Sequence, residues 1–279
     1  MKPQATSRYL TALACSLSLS VAGSAQEPPT PGGGAGVPAF DLPDEQLEAG
    51  LVEPHPLALP SPPELLYILS KEGSPKWRKL YLPSAQAQES DRSKTALWLG
   101  VSIAEAHIAT MARDAQKIRD VTNDLQRHAR VLGIGDGLTE NSRSINSSAD
   151  AKAWGSVAFQ LESLVAHTSA TLRAQRDADL ATLITTGLWV RLLQISTSVV
   201  TEKDFADTSV AISSHWTLMC LISPLTNSKA PAVVSTREQL AKISRMWAPE
   251  KLASGHQFDD ALIKETHNRL SSIINGLTP

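Results

Sequence analysis

Two segments of the chain are apolar on nearly every side of a predicted helix. Residues 95–111 read TALWLGVSIAEAHIATM, and residues 183–200 read LITTGLWVRLLQISTSVV. Apolar positions in the first segment form two stripes at helical spacing, which is wider than the single face that a surface helix buries. Gly100 and Gly187 lie near the middle of the two segments, where a missing side chain leaves room for another backbone. The pattern therefore predicts two central helices that pack closely at these glycines.

Helical periodicity also marks the segments on either side of this pair. The predicted helices around it cover residues 63–73, 75–82, 114–132, 150–174, 204–222, 235–247 and 257–275. Gly133, Gly135 and Gly137 are expected to end the helix 114–132 and to form a turn, followed by a loop or a short helix at 138–145. Alternating strand patterns are essentially missing from the sequence. The predicted fold class is all-α, a multi-helix bundle of about six or seven helices around two central apolar helices.

Aromatic residues suggest two different environments. Residues 75–82, PKWRKLYL, are expected to lie across the bundle as a lid. Trp77, Tyr81 and Trp247 could be exposed and line a groove for a partner. Four other tryptophans fall on apolar helix faces and are expected in the core: Trp98, Trp154, Trp189 and Trp216.

The N-terminal part of the chain differs in composition from the rest. Positive charges precede a short apolar run, and Gly23 and Ala25 offer the small side chains that a signal peptidase requires. We therefore predict a signal peptide at residues 1–25, cleaved after Ala25. Residues 26–62 are rich in proline and glycine, which is typical of a disordered linker. Residues 63–279 then form a single α-helical domain, located in the periplasm or secreted.

The two cysteines bear on the location and the redox chemistry. Cys15 lies in a sequence, ALAC, that weakly resembles the box before a lipidated cysteine, so a lipoprotein is a minor alternative. In that case, or if the signal segment is retained, the protein would associate with a membrane. After cleavage at Ala25, Cys220 would be the one cysteine left, which excludes an internal disulfide. Its apolar surroundings favour a small buried hydrophobe over a nucleophile.

The apolar segment 183–200 is long enough to raise the question of a membrane span. Arg191 lies at its middle, and a charge at the centre of a bilayer costs roughly 2.5 kcal/mol or more. We therefore favour a buried helix of a globular domain.

Charge and motifs exclude several function classes. The formal net charge is −2, and removal of Lys2 and Arg8 with the signal peptide makes the mature chain more acidic, so nucleic acid is not an expected partner. The run GIGDG follows a helix rather than a strand, which argues against a phosphate-binding loop. The serine-hydrolase motif GxSxG is missing. The histidines show no metal-binding spacing, and no metal or other cofactor is predicted: His55, His107, His128, His167, His215, His256 and His267.

Glu105 and Arg191 are the most informative polar residues. Each is the charged residue within one of the two apolar helices. A charge buried without a partner costs several kcal/mol, so the two side chains are expected to meet each other or other polar groups. One interpretation is a structural ion pair that fixes the register of the helices. The other is the polar floor of a cavity for a small ligand.

The segment DRSKTALWLGVSIAEAHIA, together with GLWVRLLQIST, resembles exported all-helical bacterial proteins of unassigned function in which a helix centred on Leu-Gly recurs twice. The resemblance covers residues 62–200. It implies a helical fold and export, and it brings no catalytic residue with it.

The leading hypothesis is an exported, periplasmic helical protein with a non-enzymatic role, which binds a partner such as another envelope protein or contributes to envelope structure. The alternative is a small-molecule-binding or sensor-like helical bundle with a polar cavity near Glu105 and Arg191. An enzyme ranks third. Neither the oligomeric state nor the identity of a ligand follows from the sequence.

Overall fold

The computed structural model describes residues 61–73, 75–84, 91–201, 215–247 and 260–277. These residues form nine α-helices, two short 3-10 turns and no strand, which confirms the predicted all-α class. The helices are α1 (Pro62–Gly73), α2 (Arg92–Met111), α3 (Ala115–Leu132), α4 (Gly135–Asp150), α5 (Trp154–Ala174), α6 (Ala178–Thr201), α7 (His215–Ile222), α8 (Pro231–Met246) and α9 (Asp260–Leu277). The 3-10 turns are Trp77–Leu80 and Ser223–Leu225.

Several sequence predictions fall outside the described residues. The signal peptide 1–25, Cys15 and the linker up to residue 60 are among them. So are the first part of the helix predicted at 204–222 and the start of the one predicted at 257–275. The described helical region begins at Pro62, one residue before the predicted domain boundary.

The two central helices are α2 and α6, and their contact is the most extensive in the bundle. Sixteen consecutive residues of α2, from Thr95 to Thr110, are buried. The other helices surround this pair: α3 packs on α2, α4 on α3, α5 on α4 and α6, α9 on α6, and α8 on α9. The wide apolar surface of α2 is therefore in contact with the rest of the protein on all sides.

Gly100 and Gly187 lie where α2 and α6 touch. A Cβ atom added at Gly100 would lie 2.6 Å from the backbone nitrogen of Leu188 and even closer to the carbonyl oxygen of Ile184. A Cβ added at Gly187 would lie 2.8 Å from the carbonyl carbon of Leu97 and closer still to its oxygen. Each glycine thus accommodates the backbone of the opposite helix, which no other residue could do at this separation.

The structure of the glycine-rich segment 133–137, which follows α3, differs from the sequence prediction. Gly133 alone ends α3, with a left-handed φ of 78°, and its N–H donates to the carbonyl of Arg130. Gly135 and Gly137 instead belong to the first turn of α4, which continues to Asp150. Of the two alternatives predicted for 138–145, the helix is therefore confirmed, but it is longer than predicted at both ends. The stretch is polar, but it buries a stripe at helical spacing against its neighbours: Leu138, Ser142, Ile145 and Ala149.

Three turns between helices contain a basic residue in the left-handed conformation. Arg113 follows α2 with a φ of 51°, Lys152 follows α4 with a φ of 57°, and Arg176 follows α5 with a φ of 65°. The turn at Lys152 explains why α5 begins at Trp154 rather than at the predicted residue 150. Helix α8 likewise begins at Pro231, before the predicted residue 235, because proline suits the first turn of a helix.

Two of the tryptophans, Trp77 and Trp247, are buried more completely than predicted. Trp98 and Trp189 lie in the core as expected, and Trp154 packs against it. The prediction that Trp77 and Trp247 line an exposed groove was wrong, because their exposed fractions are 8% and 1%. Trp247 closes the end of α8, and its Nε1 donates to Thr266 Oγ1 of α9 at 3.2 Å. The side chain of Trp216 lies outside the described part of the chain.

Helix α6 has the length and composition of a membrane-spanning helix. The stretch Ala178–Val200 has a mean hydropathy of 1.3, and 89% of its apolar window is buried inside the protein. It is the one helix with these properties among the residues that the structure describes. Its apolar surface is covered by α2, α5 and α9.

Candidate functional site

The structure brings Glu105 and Arg191 together between the central helices. Arg191 Nε donates to Glu105 Oε1 at 2.7 Å, and Arg191 Nη2 lies 2.6 Å from the same oxygen. The exposed fractions of the two residues are 5% and 3%. The pair is therefore shielded from water, where an ion pair interacts far more strongly than at the surface.

The remaining polar atoms of the pair bond to other groups of the chain. Arg191 Nη1 donates to Gln194 Oε1, and Nη2 also donates to the carbonyl oxygen of Leu80. The second carboxylate oxygen, Glu105 Oε2, accepts the backbone N–H of Leu82 at 3.0 Å. Lys117 Nζ lies 3.8 Å from that oxygen. The charge pair is thus both neutralised and hydrogen-bonded, which a buried ion pair requires.

Residues 77–82 form a strap across the charge pair. The strap begins with the turn Trp77–Leu80 and continues in extended backbone at Tyr81, with φ −61° and ψ 137°. Trp77 is inserted into the core, and Leu80, Tyr81 and Leu82 pack against it. The strap therefore lies where the sequence predicts the lid, but the prediction of a helix over residues 75–82 was wrong, because only a four-residue turn forms before the backbone becomes extended.

Two residues at the start of α3 hold the strap from its outer side. Lys117 Nζ donates to the carbonyl oxygen of Leu82 at 2.9 Å and lies 5.0 Å from the centre of the Tyr81 ring. Asp114 accepts a hydrogen bond of 3.5 Å from the Tyr81 hydroxyl and forms an ion pair with Arg78 at 3.3 Å. Burial and the charge of Asp114 raise the pKa of Tyr81 above its ordinary value, so this hydroxyl stays protonated.

Burial and the charge of Glu105 shift the pKa of Arg191 in opposite directions. Loss of hydration lowers the pKa of its guanidinium, whereas the charge of Glu105 and their hydrogen bond raise it. Breaking the pair would leave one buried charge without compensation, which costs more than the pair itself contributes. The arrangement therefore fixes α2, α6 and the strap relative to one another.

A second branch of the polar network runs from the pair to α9. Gln194 Nε2 donates to Ser271 Oγ at 2.8 Å, and Ser271 Oγ lies 3.3 Å from His267 Nε2. The other ring nitrogen of His267 lies 3.1 Å from Thr197 Oγ1. Burial lowers the pKa of His267, which favours its neutral form. The chain of contacts joins Glu105 to α9 through side chains of α6.

The sequence indicated the pair but not the groups that complete it. Gln194 lies three residues after Arg191 on α6, and a polar residue in an apolar helix was a usable signal. Lys117 lies on a helix with many charges, so nothing distinguished it from the solvated residues around it. The backbone groups of Leu80 and Leu82 carry no residue-type signal at all.

A small cavity lies beside Glu105, under the end of the strap. Its volume is ≈ 20 Å³, and its wall includes Leu82, Trp98, Ser102, Glu105, Lys117 and Asp124. The buried Trp98 Nε1 has no hydrogen-bond partner among the described residues. A cavity of this size holds about one water molecule. Arg191 is not part of its wall.

Other candidate residues do not assemble into a site. His107 and His128 are fully buried in α2 and α3, and His167 is exposed on α5. Within the described ranges, no group of three or more His, Cys, Asp or Glu side chains is placed to hold a metal ion. Cys220 is buried, and burial raises the pKa of its thiol, which disfavours the reactive thiolate. His55 and His256, and the side chain of His215, lie outside the described residues.

Comparison with known proteins finds no matching protein family, no similar curated protein and no similar solved structure.

Proposed function

We propose that this chain is an exported, periplasmic helical protein without enzymatic activity, which binds a partner protein of the cell envelope through α1. Export rests on the signal-like residues 1–25 and on the linker-like composition of residues 26–62. The binding role rests on the surface of α1.

One observation supports the binding role above the others. Helix α1 buries Leu65, Leu66 and Leu69 on one face, yet Tyr67 and Ile68 are 56% and 39% exposed. A helix that packs on one side only would have polar residues on its outer face. Large apolar side chains on the outer face are typical of a helix that packs on a second surface.

The bonding of Glu105 and Arg191 favours the structural interpretation of that pair. Their polar atoms bond to Gln194, Lys117 and the strap, so the pair serves the fold. The alternative function, a small-molecule-binding or sensor-like bundle, has less support. The cavity at Glu105 is ≈ 20 Å³, whereas pockets for organic ligands measure about 300 Å³ or more.

Export can be tested by fractionation and by the mass of the N-terminus. We expect the mature protein in the periplasmic or secreted fraction, beginning at Gln26. Recovery from the cytoplasm with residues 1–25 intact would contradict export. A lipid attached to Cys15 would identify the lipoprotein alternative.

Partner binding can be tested by cross-linking the tagged full chain in cells, followed by mass spectrometry of the envelope fraction. We expect a cross-linked protein whose yield falls about tenfold or more in the double variant Tyr67→Lys, Ile68→Lys, because hot-spot residues dominate interfaces. Phe159→Lys is the matched control, since Phe159 is 69% exposed on a different helix, α5. A partner retained by the double variant would exclude α1 as the binding surface. Recovery of the wild-type protein alone would contradict the binding role.

A further inference from the structure

We propose that the partner bound by α1 is a second copy of this chain, and that the two α1 helices pack antiparallel about a two-fold axis. This inference rests on the proposed binding role of α1, and it names the partner and the arrangement of the contact.

The outer face of α1 carries a stripe of four exposed side chains. They lie at positions i, i+3, i+4 and i+7 of the helix, which share one face: Glu64, Tyr67, Ile68 and Lys71. The leucines of α1 pack into the core instead. The stripe is therefore apolar at its centre, acidic toward the start of the helix and basic toward its end.

The order of these residues makes the stripe self-complementary. A two-fold axis perpendicular to α1, midway between Tyr67 and Ile68, places Tyr67 of each copy opposite Ile68 of the other. The same axis places Glu64 of each copy opposite Lys71 of the other. A parallel arrangement would instead bring like charges together, Glu64 against Glu64 and Lys71 against Lys71. The charges therefore favour an antiparallel contact in which both copies use the same surface, as in most dimers of identical chains.

Contacts within α1 hold both charged groups at the surface of the helix. Glu64 Oε2 accepts the N–H of Ser61 at 2.9 Å, and the N–H of Glu64 donates to Ser61 Oγ at 3.4 Å. This pair of hydrogen bonds is a capping box, which fixes the first turn of the helix. Lys71 Nζ lies 5.0 Å from the centre of the Tyr67 ring. Each charge is thus placed beside the apolar centre of the stripe.

The size of the contact limits its strength. Helix α1 has 12 residues, which corresponds to a length of about 18 Å. An interface limited to two such helices buries less than about 1,200 Å², which is the lower end of the range for stable complexes. We therefore expect a reversible dimer that forms at micromolar or higher protein concentrations.

Sedimentation of the purified full chain at increasing protein concentration tests the dimer. We expect the wild type to pass from monomer to dimer. Lys71→Glu should associate at least about tenfold more weakly, because it places a glutamate opposite Glu64. Lys264→Glu makes the same charge change at an exposed position of α9 and should dimerise like the wild type. A wild type that stays monomeric up to millimolar concentrations would overturn the proposal, as would equal association of Lys71→Glu and the wild type.

Exchange of the charges tests the antiparallel orientation. Glu64→Lys alone should also dimerise poorly, since it places a lysine opposite Lys71. An equimolar mixture of Glu64→Lys and Lys71→Glu should dimerise about as tightly as the wild type, because both charge contacts then join a lysine to a glutamate. A mixture that stays monomeric, although both variants are folded by circular dichroism, would overturn the proposal. The comparison of Lys71→Glu with Lys264→Glu leaves the capping box intact, so it decides even if Glu64→Lys loosens α1.

A cysteine pair tests the same register without added charges. Glu64→Cys and Lys71→Cys, mixed and oxidised, should give a disulfide-linked dimer. Each variant alone should not, because the axis separates position 64 of the two copies by about 10 Å along the helices, and the Cα atoms of a disulfide lie within about 7 Å. Both variants carry Cys15→Ser, and Cys220 is buried. Cross-linking of either variant alone, as efficient as that of the mixture, would contradict the proposed register.

Cross-linking in cells separates this proposal from the binding role of α1. Two differently tagged copies of the full chain should be recovered cross-linked to each other, and the product should decrease in the double variant Tyr67→Lys, Ile68→Lys. Recovery of a different protein at α1, with a purified chain that stays monomeric, would overturn self-association and leave the binding role intact. A monomeric purified chain without a cross-linked product in cells would contradict both.

Discussion

Arg191 Nε donates to Glu105 Oε1 at 2.7 Å between the two central helices, α2 and α6. The pair joins positions that are 86 residues apart in the sequence. It also bonds to the strap, so it connects three separate segments of the fold. The contribution of the pair to stability is best measured by replacing Glu105 and Arg191 singly and together.

Glu105→Leu and Arg191→Met are expected to destabilise the protein by about 3–5 kcal/mol each, because each leaves a buried charge without its partner. The double variant should be clearly more stable than the sum of the single effects predicts, since it removes both charges of the buried pair. Urea unfolding of the four proteins gives the coupling free energy. Additive effects would show that the two charges are stabilised independently.

Gly100→Ala and Gly187→Ala test the close contact of α2 and α6. A methyl group at either position would overlap backbone atoms of the other helix, which cannot move as a flexible side chain can. We expect a loss of about 3 kcal/mol or more in the free energy of unfolding, above the usual cost of overpacking. Gly155→Ala is the control, because a Cβ at this exposed position of α5 meets no atom within 4 Å. It should be neutral or stabilising by up to about 1 kcal/mol. Similar losses at all three positions would refute the steric explanation.

The central helix pair could be predicted because its signals lie in the sequence itself. A glycine and a charge inside a segment with apolar residues all round are exceptional, and the physical cost of each implies a partner. Only a loop or a short helix could be predicted in the place of α4, because its buried stripe contains a serine and an alanine, which weaken the periodic signal. The position of α4 depends on packing against α3 and α5, which the sequence of α4 alone does not indicate.

The position of the strap could be predicted from the sequence, but its hydrogen bonds could not. Its location could be predicted from Trp77 and Tyr81, but its hydrogen bonds use main-chain atoms, which are the same in every residue. Trp247 lies at the end of a predicted helix, and nothing in its own segment indicates a contact that would bury it. Its burial results from contact with α9, a helix that begins 13 residues later.

Two buried histidines should make the protein sensitive to acid. Burial lowers the pKa of His107 from 6.5 to about 4. Burial and the charge of Arg127 lower the pKa of His128 to about 4 as well. Between pH 6.5 and 4 the unfolded chain therefore binds protons that the folded chain does not. Their contribution to stability is present above pH 6.5 and decreases as the pH falls toward 4.

The expected loss is about 2 kcal/mol for each of these histidines between pH 7.5 and 5. Urea unfolding at several pH values measures it. His128→Leu should reduce the slope of the unfolding free energy against pH by about 1.4 kcal/mol per pH unit, which corresponds to one bound proton. His167→Gln, at an exposed position of α5, is the control. A slope that His128→Leu does not change would contradict the assignment to this residue.

Trp98 and Trp247 form a natural pair for measuring what a buried indole N–H contributes. Both are buried, but Trp247 Nε1 donates to Thr266 Oγ1 at 3.2 Å, whereas Trp98 Nε1 has no partner among the described residues. Replacement by phenylalanine removes the N–H in both cases. Trp247→Phe also breaks a hydrogen bond, so it should cost about 1–2 kcal/mol more than Trp98→Phe in urea unfolding. A larger loss for Trp98→Phe would show that its N–H is satisfied in solution, by a water molecule in the adjoining cavity of ≈ 20 Å³.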